Sequence, residues 1–156
     1  MKKIALVTDS TADLDEQMKN ELDVHVIPLK VRFKNEEYFD YEISSDEFYR
    51  RLAQEDELPK TSQPSPEDFS NLYRKLLKDY QEVISIHISS GLSGTLNAAN
   101  LAKEELGSRI HIIDSKTISL GLGLMVAESS RNIKEGMSAS QIVKRLSEVR
   151  RNIETL

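Results

Sequence analysis

Three short runs of β-prone residues, 3–7 (KIALV), 82–88 (EVISIHI) and 109–113 (RIHII), each lead into aspartate, serine or threonine and then into residues at helical spacing. This alternation of strands with helices has few compact solutions, because successive parallel strands need right-handed crossovers that return across the sheet. It predicts an α/β domain with a mostly parallel central sheet flanked by helices. In open sheets of this kind, ligands bind beyond the carboxyl ends of the strands. The stretches TDST (8–11), SSGLSGT (89–95) and DS (114–115) all fall at such ends, so one crevice can hold all three.

The remaining segments fill in the frame. Residues 24–33 (VHVIPLKVRF) are mostly β-branched or aromatic around Pro28, which predicts a strand near a sheet edge or two short strands broken at the proline. A turn at 34–37 then leads into an extended piece at 38–41. Ser44 and Glu47 stand at capping-box spacing ahead of a short helix over 45–54. The stretch LPKTSQPSP (58–66) holds three of the four prolines and reads as a structured loop. Ser65, Pro66 and Asp68 open the next helix, whose apolar series runs from Phe69 to Tyr80. A small-residue helix at 96–106 is stopped by Gly107, and helices at 119–135 and 138–154 finish the chain. Thr11 or Asp13 is expected to cap the helix after the first strand.

Composition excludes several classes of function. The 156 residues suit one domain with a sizeable core, and the absence of cysteine rules out disulfides and thiolate-held metals. Net charge is -5 and the basic residues are scattered, which argues against nucleic-acid binding. Asp9 interrupts the first apolar run too early for a signal-peptide core or a membrane span, so the expectation is a soluble cytoplasmic protein.

The serine-rich turn carries the most chemistry. A helix starting near Gly94 points unpaired N–H groups and partial positive charge toward Ser89, Ser90, Gly91 and Ser93, where an anion such as a carboxylate is stabilised. The plainer alternative is that Ser90 or Ser93 only caps the helix. A phosphate-binding P-loop needs a lysine after the second glycine, and Gly94 is followed instead by Thr95 and Leu96. A hydrolase elbow needs glycine at position 95, together with a histidine and an acid for Ser93. His25, His87 and His111 all fall inside predicted strands, none at a strand end. Thr61-Ser62-Gln63-Pro64 supplies a second group of hydroxyls on a stiff backbone, either for recognition or as lead-in to the cap at Ser65. Asp9 and Asp114 make a carboxylate pair for metal or acid–base work, or brace their loops.

Taken together, the stretches TDSTADL (8–14), TSQPSP (61–66), ISSGLSGT (88–95) and DS (114–115), followed by Ser119, Gly121 and Gly123, resemble the motif series of the DegV family across essentially the whole chain. The resemblance implies a bacterial fatty-acid-binding protein, not an enzyme, that needs no cofactor. Such a protein holds a long-chain fatty acid such as palmitate and presents its carboxylate to the catalytic subunit of a fatty acid kinase. It further implies that Thr61 and Ser93 contact the carboxylate, with Ser62 and the backbone of Gly94 as secondary contacts. Family members run to roughly twice this length, so residues 1–156 are expected to form the N-terminal lipid-binding domain, with the family's C-terminal domain absent. The competing expectation is a hydrolase using Ser93, or a metal held by Asp9 and Asp114.

Overall fold

The computed structural model of the chain describes residues 2–153. Four parallel strands, β1 (Lys2–Asp9), β2 (Val24–Ile27), β6 (Tyr80–His87) and β7 (Ile110–Asp114), form a central sheet in the order β2-β1-β6-β7. Helices cover both faces. On one side α3 (Pro66–Leu76) and α4 (Thr95–Leu106) bury Phe69, Tyr73, Ala98 and Ala99 against Ala5, Val7 and Val83. On the other, α5 (Leu120–Lys134) and α6 (Ala139–Arg151) bury Leu122, Met125, Ile142 and Leu146 against Ile4, Leu6, Ile84 and Ile86. Alternating residues along β1 and β6 therefore feed two cores, the physical reason these strands carry apolar residues on both faces. The predicted α/β class with a mostly parallel sheet is what the chain adopts.

Helix entries follow local chemistry. Ser65 and Asp68 form a reciprocal capping box with Pro66 in the first turn of α3, and Ser138 with Gln141 does the same for α6. Ser44 caps α2 (Ser45–Gln54). The helix after β1 departs from expectation. Ser10, Thr11 and Ala12 form a 3-10 turn ending at Asp13 in left-handed backbone, and α1 (Glu16–Leu22) is capped by Asp15. Thr11 is unavailable as the α1 cap because its N–H and hydroxyl both donate to Asp9.

A second sheet lies outside the sequence-based plan. Pro28 divides residues 24–33 between β2 in the parallel sheet and β3 (Lys30–Phe33) in a three-stranded antiparallel sheet of order β4-β3-β5. Strand β4 is Glu36–Phe39, two residues ahead of the expected extended piece. Strand β5, Lys60–Ser62, falls inside the segment read as a loop, and all three of its residues are exposed. Backbone pairing of Thr61 with Val31, not an apolar pattern, makes it a strand. Tyr80 begins β6 instead of ending α3, which stops at Leu76. His87 closes β6, so it does stand at a strand end. The expected end of the last helix, at 154, lies outside the described residues.

Candidate functional site

The strand order places β2 to one side of β1, and β6 and β7 to the other, so the chain reverses its winding direction between β1 and β6. Ligand crevices in open α/β sheets form at this kind of switch point. Asp9, His87 and Asp114 are the last residues of β1, β6 and β7, and the three chemistry-bearing loops leave the sheet side by side.

Hydrogen bonds join these loops into one platform. Ser89 N–H donates to the Thr117 carbonyl at 2.9 Å, and Ser119 N–H donates to the Thr11 carbonyl at 2.8 Å. Ser90 donates its N–H and hydroxyl to the two oxygens of Asp114, at 3.2 and 2.6 Å, while Lys116 Nζ stands 2.6 Å from the same carboxylate. Burial alone would raise the Asp114 pKa, but donation from Lys116 and Ser90 holds it below the usual value. Asp9 accepts from Thr11 and Ile88 and meets the His87 ring at 2.9 Å. Burial is again the largest single effect and acts upward, yet His87, Thr11 and Ile88 together keep Asp9 lowered. Each aspartate ties its own loop to the turn after β6, and among the described residues no group of three or more His, Asp or Glu side chains clusters as a metal site.

Within the turn, the Ser89 carbonyl accepts from both Leu92 and Ser93 N–H, at 2.9 and 3.2 Å. Ser93 Oγ lies 2.9 Å from Thr95 Oγ1 and accepts the Thr95 N–H at 3.2 Å. Ser93 thus takes one N–H in the first turn of α4, while Gly94 occupies the cap position without a side-chain cap. The helix start faces the crevice with N–H groups that an anion can take up.

The loop after β5 reaches this turn through Gln63. A Cβ on Gly94 would collide with the Gln63 side-chain amide, so glycine at this position is what lets that amide approach the turn. Thr61 pairs its backbone with Val31 on β3, and Ser62 turns to Glu37, with its hydroxyl 3.4 Å from that carboxylate. The structure therefore sets Gln63, two residues after Thr61, against Gly94 and turns Ser62 toward Glu37. Gln63 as the bridge was not singled out by sequence reasoning; its place between Thr61-Ser62 and Pro64 was the available signal.

An apolar cavity of about 270 Å³ opens beside the platform, between α1 and α5. Leu14, Met18, Leu22, Leu120, Gly123 and Leu124 supply much of its wall, with Asp13 and Ser119 at its polar edge. Neither Thr61 nor Ser93 lines it. Its link to the turn is the loop after β7, where Thr117 holds Ser89 and Ser119 is held by Thr11. A Cβ on Gly123 would approach the Ala12 carbonyl at 3.2 Å and reduce the cavity wall, while Gly121 makes room for the Thr117 side chain. Leu92, Leu120 and Leu124 are exposed around the crevice at 65%, 73% and 54%.

The histidines have other partners than Ser93. His87 bonds Asp9 and Ser85, His111 bonds Glu82 at 2.8 Å, and His25 sets its ring edge against Tyr80.

Fold and platform together define an open α/β domain with an anion-ready helix start at the sheet's switch point. The profile of the DegV family, described as "Uncharacterised protein, DegV family", matches residues 3–156, and the chain belongs to that family. A DegV domain-containing protein of Staphylococcus aureus is 44% identical over 155 residues, covering 99% of this chain and 55% of its own. One from Clostridium perfringens is 40% identical over 157 residues, covering 99% and 56%. The chain thus spans about half the length of the curated relatives it matches. Among solved structures, a DegV family protein from Thermus thermophilus described by its fatty acid binding superposes with a TM-score of 0.90 at 40% identity, over 96% of this chain and 54% of its own. DegV of Bacillus subtilis, described as a fatty acid binding protein, gives 0.89 at 37% identity over 97% and 55%. No helix among the described residues is long and apolar enough to cross a membrane.

Proposed function

We propose that this chain is the head-group half of a cytoplasmic carrier for a long-chain fatty acid such as palmitate, and that the carrier presents the acyl carboxylate to the catalytic subunit of a fatty acid kinase. The chain is a binder, not the enzyme. The observation that carries the reading is the start of α4, where Gly94 offers no side-chain cap, Ser93 takes only the Thr95 N–H, and Gln63 of the loop after Thr61 lies against Gly94. Thr61 and Ser93 donate hydroxyls to the carboxylate and the Gly94 region supplies backbone N–H. Ser62, held toward Glu37, contributes only if it rotates away from that contact. Solved relatives described as fatty-acid-binding support the ligand class.

Magnitudes divide the labour. Burying a sixteen-carbon tail at about 0.8 kcal/mol per methylene offers on the order of 12 kcal/mol before association costs. Each hydrogen bond to the charged carboxylate adds about 1.5–3 kcal/mol. Tail burial sets affinity and the hydroxyls set direction. The α1–α5 cavity, at about 270 Å³, lies just below the range of roughly 300–1,000 Å³ typical of small-molecule sites, so it takes part of such a tail.

Organic extraction and mass spectrometry of the protein, in the longest form the cell makes, tests this directly. An acyl chain in near-stoichiometric amount is expected; none, even after incubation with palmitate, would end the proposal. Ser93→Ala should weaken presentation to the kinase more than total lipid binding. The hydrolase alternative draws no support from Ser93, which bonds Thr95 and, among the described residues, no histidine.

A further inference from the structure

Behind the turn runs a chain of buried side chains that the head-group reading does not use. The Tyr73 hydroxyl, from α3, donates to Ser85 Oγ at 2.8 Å. Ser85 Oγ lies 2.7 Å from His87 Nε2, and His87 Nδ1 lies 2.9 Å from Asp9 Oδ2. Tyr73, Ser85, His87 and Asp9 are all 0% exposed. Serine, imidazole and carboxylate stand in the geometry of a hydrolytic triad. They cannot act as one. Ser85 lies in mid-strand under α3, its oxygen already accepts from Tyr73, and the Phe69 ring meets the edge of His87 at a centroid distance of 5.1 Å. No reacting atom can reach it.

The direction of each hydrogen bond is fixed from the Asp9 end. An ionised carboxylate only accepts, so Thr11 N–H, the Thr11 hydroxyl, Ile88 N–H and His87 Nδ1 must all donate to it. His87 therefore carries its proton on Nδ1. Its Nε2 accepts from Ser85, and Ser85 accepts from Tyr73. A proton on Nε2 would leave the Ser85 hydrogen without an acceptor in a sealed layer, an arrangement that buried polar groups avoid.

This chain ends on the recognition turn. Asp9 Oδ2 accepts Ile88 N–H at 3.0 Å, and the next residue, Ser89, holds the N–H groups of Leu92 and Ser93 on its carbonyl. The backbone from which Ser93 hangs is thus pinned by a carboxylate whose orientation the imidazole sets. We propose that Asp9, His87, Ser85 and Tyr73 are positioning residues for the head-group turn, so that preference for a free carboxylate over a neutral ester is set by side chains that never touch the ligand. The inference rests on the fatty-acid reading above.

The test compares binding of palmitate and methyl palmitate by the protein and by Asp9→Asn. The unsubstituted protein should prefer the acid, and Asp9→Asn, which sets an amide N–H against converging donors, should lose roughly tenfold or more of that preference while ester binding stays nearly constant. If the unsubstituted protein binds acid and ester alike, the fatty-acid reading falls and takes this inference with it. If it discriminates and Asp9→Asn discriminates equally, only the positioning role falls. Should Asp9→Asn not fold, Ser85→Ala gives the same comparison with a preference several-fold reduced, and an unchanged preference overturns the role. Ring nitrogen NMR of the unsubstituted protein adds a structure-independent readout: His87 should carry hydrogen on Nδ1 and none on Nε2, and the reverse overturns the proposal.

Discussion

The two sheets of this protein are built on different physics. The parallel sheet is sealed on both faces, with Ile84, Ile86, Val83 and Val7 all at 0% exposure, and its stability comes from burial. The antiparallel sheet is thin and wet. Strand β5 is exposed throughout, and β4 is tied to α2 by Arg51, which reaches Glu36, Glu47 and the Tyr38 hydroxyl. Thr61 stands on the wet sheet and Ser93 at the rim of the dry one, so the candidate site lies where a rigid frame meets a pliable edge. One half of the candidate site is thus held by packing, and the other by the backbone pairing of β5 with β3 and the approach of the Gln63 amide to Gly94.

The largest expected effect tests the frame. Ile86→Ala should cost about 2–5 kcal/mol in urea unfolding, as buried isoleucine truncations do, whereas Tyr38→Ala on β4 should cost under about 1 kcal/mol. Equal costs would erase the contrast between the sheets. Next comes acid. Asp9 is held below its ordinary value of 3.8, so its stabilising contribution is fully present above that pH and is lost as pH falls through the lower folded value. Asp9→Asn should therefore flatten the acid limb of the stability curve. Glu36 is also lowered, chiefly by its hydrogen bond from Arg51, but it stands in solvent and Glu36→Gln should change that limb far less.

Smaller effects probe the junctions. Ser65→Ala removes one half of a capping box and should lower stability by about 1 kcal/mol, read from the urea midpoint at constant slope. Gly94→Ala should change global stability by only a few tenths of a kcal/mol, because the atom in the way is the end of a flexible glutamine that can swing aside. Its signature is local: amide chemical shifts of Thr61 to Gln63 should move, and Gln63→Ala on the same background should abolish further coupling between the loops. A rigid Gly94→Ala spectrum, unchanged at Thr61, would show that Gln63 is not the link.

Much of the frame was legible because its signals are local. β-branched runs, serine caps and a glycine stop each act within a few residues, and all act in the same direction. Less of the site was legible. The apolar alternation continues through Ile88 and so puts His87 inside a strand, whereas β6 ends on it, and exposed Lys-Thr-Ser at 60–62 carries no apolar alternation to mark a strand. Their strand character comes from β3, about thirty residues away in sequence.

The α/β class, the strand ends on which the chemistry falls and the hydroxyl-rich turn are written in local order, since periodicity and capping are properties of neighbouring residues. Long-range packing alone sets Gln63 against Gly94, turns Ser62 to Glu37, and makes Asp9 and His87 meet in a sealed layer. Those pairings join residues 25 to 78 positions apart, and packing, not local preference, chooses among partners at such separations.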